Sequence, residues 1–423
     1  MSFSPERASV NQSLQLGIET TPGTAVPANK RVDCYMFSFT IKPSLKSMAG
    51  TGRKFPVVQQ INSEYTDGTY SGSMDFNGLL YPLAGVYGVQ TAAAHGSSTV
   101  AKDWVFDAVL SGAKQPQTLS IEQGESATRA QKFAYGLFTK LDYKITHQDA
   151  SVSGNIIGQL VSDGITMTAS PTAVALQPMT GQQTNIYLDP TSANLGMTQL
   201  TKFISVEFDY DNLYGPFWPL NRSQSSFASH VDLKPNCYVK IMAEADATGM
   251  ALLNNMRVGS TQYLRVNVTG PVVDNNQTVN LGAPSAGTFT LTYKGQTTSG
   301  LAFNATSATV QTAFTGLSTV GAGNATVTGS AGGPYIITFA GTLALDTTAI
   351  TGSGASLTGG TFTITQTQIY NTMQHDMAIK IGTPSAWQDN AGIYAIEWQC
   401  DVFEDSVWGH SNVVTVTNSI ATL

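Results

Sequence analysis

An all-β fold with a few short helices follows from three features of the chain. Apolar residues alternate with period two in most of its patterned segments, there are 40 glycines among many Thr and Ser residues, and only 12% of residues are charged. Alternation with period two sends successive side chains to opposite faces, as a strand with one buried face requires. Glycine supplies the turns between such strands. The charged share is about half the usual fraction. In a chain of 423 residues, long enough for two or three cores, this implies that partner subunits cover part of the surface. A Thr-rich secreted β protein would share the composition.

The elements follow in order. Residues 35–41 alternate as a strand, and a long loop with Gly, Pro and Lys runs from about Lys42 to Asp67. Residues 69–76 form a second strand that leads into a short helical stretch, 77–87, before Gly88. Residues 133–145 place Phe133, Tyr135, Leu137, Leu141, Tyr143 and Ile145 on one face and Lys132, Lys140, Asp142 and Lys144 on the other. Residues 151–158 make the neighbouring strand. The series then begins again: a strand at 203–210, a loop from about Asp211 to Asn236, a strand at 237–243, and a helix at 246–256 ending before Gly259. It closes with strands at 376–381 and 393–404, where Tyr394, Ile396, Trp398, Cys400 and Val402 share a face. Strand, long loop, strand, helix and strand pair thus occur twice. Chance recurrence of short strand patterns is the alternative.

One stretch breaks the pattern. Between Gln277 and Ile369 the only charged residues are Lys294 and Asp346. Strands are predicted at 287–293, 324–328, 335–339 and 361–365, with a turn at Gly332-Gly333-Pro334. A helix is predicted at 307–317, with Val310, Phe314 and Leu317 on one face and Asn304 or Thr306 as N-cap. The expected division is a first β domain at 1–170, a second at 171–276 plus 370–423, and a small Thr/Gly-rich β domain inserted at 277–369.

Charge and motif content exclude several functions. A formal net charge of −7 leaves nothing to hold nucleic acid by neutralising phosphates, though a surface of the same sign as DNA suits a conduit. The opening Met1-Ser-Phe-Ser-Pro-Glu-Arg7 lacks the pattern of a secretory leader, and no apolar run approaches a membrane span. Cys34, Cys237 and Cys400 lie far apart within alternating segments and are expected to be buried free thiols. His95, His147, His230, His375 and His410 never reach metal-ligand spacing. His375 and Asp376 are adjacent on a strand, so they point to opposite faces. The cluster Asp401, Glu404 and Asp405 lacks the ligand spacing of a calcium loop. Gly50-Thr-Gly-Arg-Lys54 and the glycines at 352–360 read as turns, and no nucleophile elbow occurs. No enzymatic activity, cofactor or metal is expected.

In residues 203–211, apolar Ile204, Val206, Phe208 and Tyr210 alternate with Ser205, Glu207, Asp209 and Asp211, and Glu397 and Asp401 repeat the pattern near the end. Such acidic strand faces would repel DNA, where cationic ones would release counterions and bind.

At this point the chain resembles the major tail tube proteins of long-tailed, non-contractile, siphovirus-like bacteriophages. The resemblance rests on Gln15-Leu-Gly-Ile-Glu-Thr-Thr-Pro-Gly-Thr-Ala-Val26, Gly72-Ser-Met-Asp-Phe-Asn-Gly-Leu-Leu80, Asp389-Asn-Ala-Gly-Ile-Tyr-Ala-Ile-Glu-Trp398 and Asn412-Val-Val-Thr-Val-Thr-Asn418, in that order and spacing. It does not touch the insert. It implies a virion protein, made in the host cytoplasm, whose duplicated β-sandwich or barrel-like units build stacked rings for DNA ejection. It also makes lining the DNA channel the expectation for Glu207, Asp209, Asp211, Glu397 and Asp401, against the alternative of a plain solvent-facing sheet. Six units complete a ring, so a trimer with pseudo-sixfold symmetry is expected, with a hexamer as the alternative. The resemblance assigns the two long loops to contacts between subunits and rings. Phe55, Tyr65, Phe217 and Trp218 are suitable anchors there, against the alternative of locally packed loops. Implied partners are the tape measure, tail terminator and distal tail proteins. The insert resembles a small module of phage virion proteins and is expected to project outward. A baseplate or decoration protein, or an adhesin-like secreted protein, are the other classes this composition allows.

Overall fold

The computed structural model describes residues 11–96, 98, 100–125, 129–221, 223, 225–344 and 346–423. The opening segment on which the leader expectation rests lies outside them. The chain is mostly β, with three short α-helices among the described residues.

The first part of the chain contains β1 (Ser13–Ile18), β2 (Lys30–Arg31), β3 (Tyr35–Met48), β4 (Val58–Ser73), α1 (Leu80–Tyr87), β5 (Lys102–Asp107), β6 (Leu119–Glu125), β7 (Arg129–Phe138), β8 (Leu141–Thr146) and β9 (Ala150–Gly158). The second contains β10 (Thr184–Asp189), β11 (Gln199–Leu200), β12 (Phe203–Asp211), β13 (Tyr214–Phe217), β14 (Ser229–Asp232), β15 (Asn236–Glu244), α2 (Ala247–Val258) and β16 (Thr261–Asn280). After the inserted residues come β17 (Thr363–Pro384), β18 (Gln388–Asn390), β19 (Ile393–Val402) and β20 (Asn412–Asn418).

Strand pairing gives the same order twice. In the first part β2 pairs β1, β1 pairs β6, β6 pairs β7, β9 pairs both β7 and β8, β9 pairs β4, and β4 pairs β3. In the second, β11 pairs β10, β10 pairs β16, β16 pairs β17, β17 pairs β19, β19 pairs β15, and β15 pairs β12. Every one of these pairs is antiparallel, and a helix follows the corresponding strand, β4 or β15, each time. The two units are joined edge to edge where β8 pairs β12. The C-terminal β20 ties them again, lying between β5 of the first and β17 of the second. One hydrophobic core spans both, with Tyr70, Phe138, Tyr143, Phe208, Ile241 and Trp398 among its members.

The helices end as their sequences dictate. Asp246 caps α2 by accepting from the backbone N–H groups of Thr248 and Gly249, and Gly259 closes it in the left-handed region at φ 67°. α1 has no capping side chain, and all its residues are buried, so packing holds it rather than its termini.

Three expectations need correction. The stretch from Lys42 to Asp67 is not a loop: β3 and β4 continue through it as a two-stranded arm, paired out to Met48↔Val58. Neither face of the arm is buried along most of its length, so no alternation marks it as strand. The stretch from Asp211 to Asn236 contains the small hairpin β13–β14. Residues 133–145 are two strands, because the chain leaves one partner, β6, and takes up another, β12. Its six apolar residues are nonetheless all buried, but residues 135–138 are buried one after another, so the alternation breaks at the junction.

The insert hangs from the extended ends of β16 and β17, which pair to Asn280↔Thr363. It has its own core of Phe289, Tyr293, Val310, Phe314, Tyr335, Ile337 and Phe339. Its helix, α3 (Ser307–Thr315), buries Val310 and Phe314 and is capped by the Thr306 hydroxyl, which accepts from the Thr309 N–H. The three cysteines are free, with Cys400 buried and the other two half-buried. No helix of the described residues is long and apolar enough to cross a membrane.

Candidate assembly interface

The arm carries uncovered apolar side chains. Ile41, Leu45, Met48, Phe55, Val57, Val58 and Ile61 are all exposed, Phe55 at 79% and Ile61 at 62%. A run of uncovered hydrophobic side chains makes the arm the candidate interaction surface of the chain. A paired arm costs less to order at an interface than a disordered loop, because its backbone hydrogen bonds already exist.

The four expected anchors divide. Phe55 stands free near the tip of the arm, and Phe217 is also exposed. Tyr65 and Trp218 instead pack against each other within the chain, with ring centroids 6.0 Å apart at near-perpendicular planes. Trp218 also meets the buried Phe227 at 6.1 Å, and the Glu64 N–H donates to the Ser225 carbonyl at 2.9 Å. The base of the arm is therefore braced by the 212–235 segment, and only the outer part is presented. Tyr65 is half-buried by this packing, whereas Trp218 keeps 39% of its surface exposed.

The outward face of the sheet is less acidic than its strands suggest one at a time. Glu207 lies between Lys144 and Lys240, each 3.2 Å away, and these lysines hold its carboxyl below the usual range in spite of partial burial. Asp209 is buried and lies 2.7 Å from Lys140. It is corrected from an open channel-lining carboxylate to a member of a buried ionic cluster. The reason is register: β8 places Asp142 directly opposite Asp209, and Lys140 holds the two carboxylates together at 3.1 and 2.7 Å. Asp211 is half-buried at the end of β12. Glu397 is half-buried and Asp401 exposed, and among the described residues neither forms an ion pair. Asp401 stands directly opposite Lys380, Glu397 lies near Lys240, and around them are the outward hydroxyls of Ser38, Thr40, Thr69, Ser71, Ser151 and Ser153.

Asp142 and Asp209 sit side by side in the cluster. Burial and the neighbouring Asp209 carboxylate push Asp142 up to about 7. Burial would also raise Asp209, but hydrogen bonds from Asp142 and Lys140 outweigh it and hold Asp209 below its usual range. The pair thus keeps one proton. From about pH 4 to about pH 7 the folded chain retains a proton on Asp142 that the unfolded chain has released, so this group's contribution to stability declines as pH rises through that window. Asp142→Asn fixes the neutral state and is expected to flatten that decline. Thermal melts across the window check it, and an unchanged slope contradicts the shared proton.

The other candidate residues have structural partners. His375 is fully buried with its Nδ1 2.9 Å from the Tyr143 hydroxyl, and burial lowers it to about 3. Asp376 points the other way and receives hydrogen bonds from Arg265 at 2.6 and 2.9 Å. Asp405 accepts from the Tyr263 hydroxyl and from the Val407 N–H. Among the described residues no group of three or more His, Cys, Asp or Glu side chains could hold a metal ion.

Comparison with protein-family models and with curated proteins gives no match for this chain.

Proposed function

We propose that this chain is the tube subunit of a long-tailed, non-contractile bacteriophage, stacking in rings of three copies into the conduit through which DNA leaves the virion. The observation that carries this reading is the doubled unit: two copies of one strand order, joined edge to edge by β8 and β12, give each chain two consecutive places in a ring. The apolar arm supports stacking, since it extends beyond the sheet with nothing of its own chain to cover it. The outward sheet face supports a passive lumen. Lys140, Lys144 and Lys240 on it are paired with carboxylates, and Lys380 stands opposite Asp401, so passing phosphates displace few counterions. The insert, hung on its own ribbon with its own core, is read as an outward decoration. Other tail proteins would meet the two ends of the tube.

Electron microscopy of the purified full-length chain tests this. Long filaments of uniform width with an axial ring repeat are expected. Discrete oligomers at every concentration would contradict the tube and favour a baseplate or decoration protein.

A further inference from the structure

The two strands that pair at the seam between the units have counterparts elsewhere in the chain, and both counterparts have an open edge. At the seam β8 and β12 match in register from Leu141↔Tyr210 to Thr146↔Ser205. In the first unit the position of β12 is taken by β3, which pairs β4 on one side. Along residues 35–41 its other edge meets no strand of the described residues, and only the Gln123 side chain donates to it, at the Phe37 carbonyl, 2.9 Å away. In the second unit the position of β8 is taken by the end of β17 and its continuation into β18. There the chain pairs β19 on one side. Its other side loses its last partner at Lys380↔Thr261.

Apolar side chains stand uncovered at both edges. Met36 on β3 is 79% exposed. Beside the other edge Trp387 is 62% and Tyr394 73% exposed, their rings 6.3 Å apart. Open edges with apolar neighbours invite strand addition.

We propose that residues 35–41 of one copy add antiparallel to residues 384–390 of a second copy of this chain, repeating between chains the join that β8 and β12 make within one. In that pairing Met36 comes to the end of the edge where Trp387 and Tyr394 lie. The contact is heterologous, one edge meeting a different edge, so the unit-to-unit step inside the chain continues from chain to chain and closes as a ring. The closure at three copies rests on the ring reading above, whereas the choice of edges rests on the internal repeat alone.

Ser38 and Gln388 are exposed on the two edges, and the test uses the full-length double variant Ser38→Cys, Gln388→Cys. Treatment with a short bifunctional thiol reagent, followed by a denaturing gel, is expected to give dimers and a trimer that is the largest species. Either single variant and the parent chain, which keeps its three native cysteines, are expected to stay monomeric on that gel. Rings or filaments visible by microscopy with no cross-linking above the parent would overturn the edge assignment and leave the tube intact. Closed trimers without filaments would support the edges and sink the stacking. A chain that neither cross-links nor assembles would overturn both.

Discussion

Replacing residues 45–60 by a two-residue turn is expected to abolish stacking of rings while leaving the chain folded. The segment holds Leu45, Met48, Phe55, Val57 and Val58, all exposed, and none of its side chains belongs to the main core. Its removal leaves the main core intact, so the chain is expected to fold without it. Covering a large apolar side chain contributes about 1.5–3 kcal/mol, and about 1.4 kcal/mol is a tenfold change in affinity. Losing several such side chains at every ring contact should therefore weaken stacking by orders of magnitude. The milder pair Phe55→Asp and Ile61→Asp should act in the same direction. Thermal melts check that the fold persists, and microscopy checks that filaments have gone. Filaments of normal length from the shortened chain would show that the arm has another use.

The largest effect on stability is expected at Trp398. It is fully buried in β19, opposite Ile241 of β15 and Pro384 of β17. Trp398→Ala leaves a cavity in the core, and truncations of this kind cost about 3–5 kcal/mol. The unfolding midpoint in urea should fall accordingly, with an unchanged slope. A shift of less than about 1 kcal/mol would mean that the site collapses around the smaller residue.

The same position explains why the repeat is faint in the sequence. Where the second unit sets Trp398 opposite Ile241, the first sets Gly154 opposite Tyr70. A Cβ on Gly154 would lie 2.7 Å from the Tyr70 ring. The large residue has changed strands, so volume is kept while residue-by-residue similarity is lost. Strand order survives such exchanges because it depends on which face is apolar. Residues 203–211, 236–244 and 393–402 were legible as strands for that reason: each buries one face. The arm was not legible, because a ribbon bare on both sides has no pattern to display.

Residues 13–18 and 184–189 are short strands buried on consecutive residues in places, and without clean alternation they pass for loop. The ionic cluster shows another limit. Lys140, Asp142 and Lys144 were visible as one polar face and Glu207 and Asp209 as another. That the two faces are one surface depends on β8 pairing β12, which is tertiary information. The exposed arm and open edges likewise have no local signature, since exposure is a property of the folded chain.

End-on images of the assembled rings test the doubled unit most directly. Each chain carries two equivalent units but one insert, so the inner wall should show sixfold rotational symmetry while the outer rim shows three projections. Six projections around the rim, or an inner wall with no sixfold component, would contradict it.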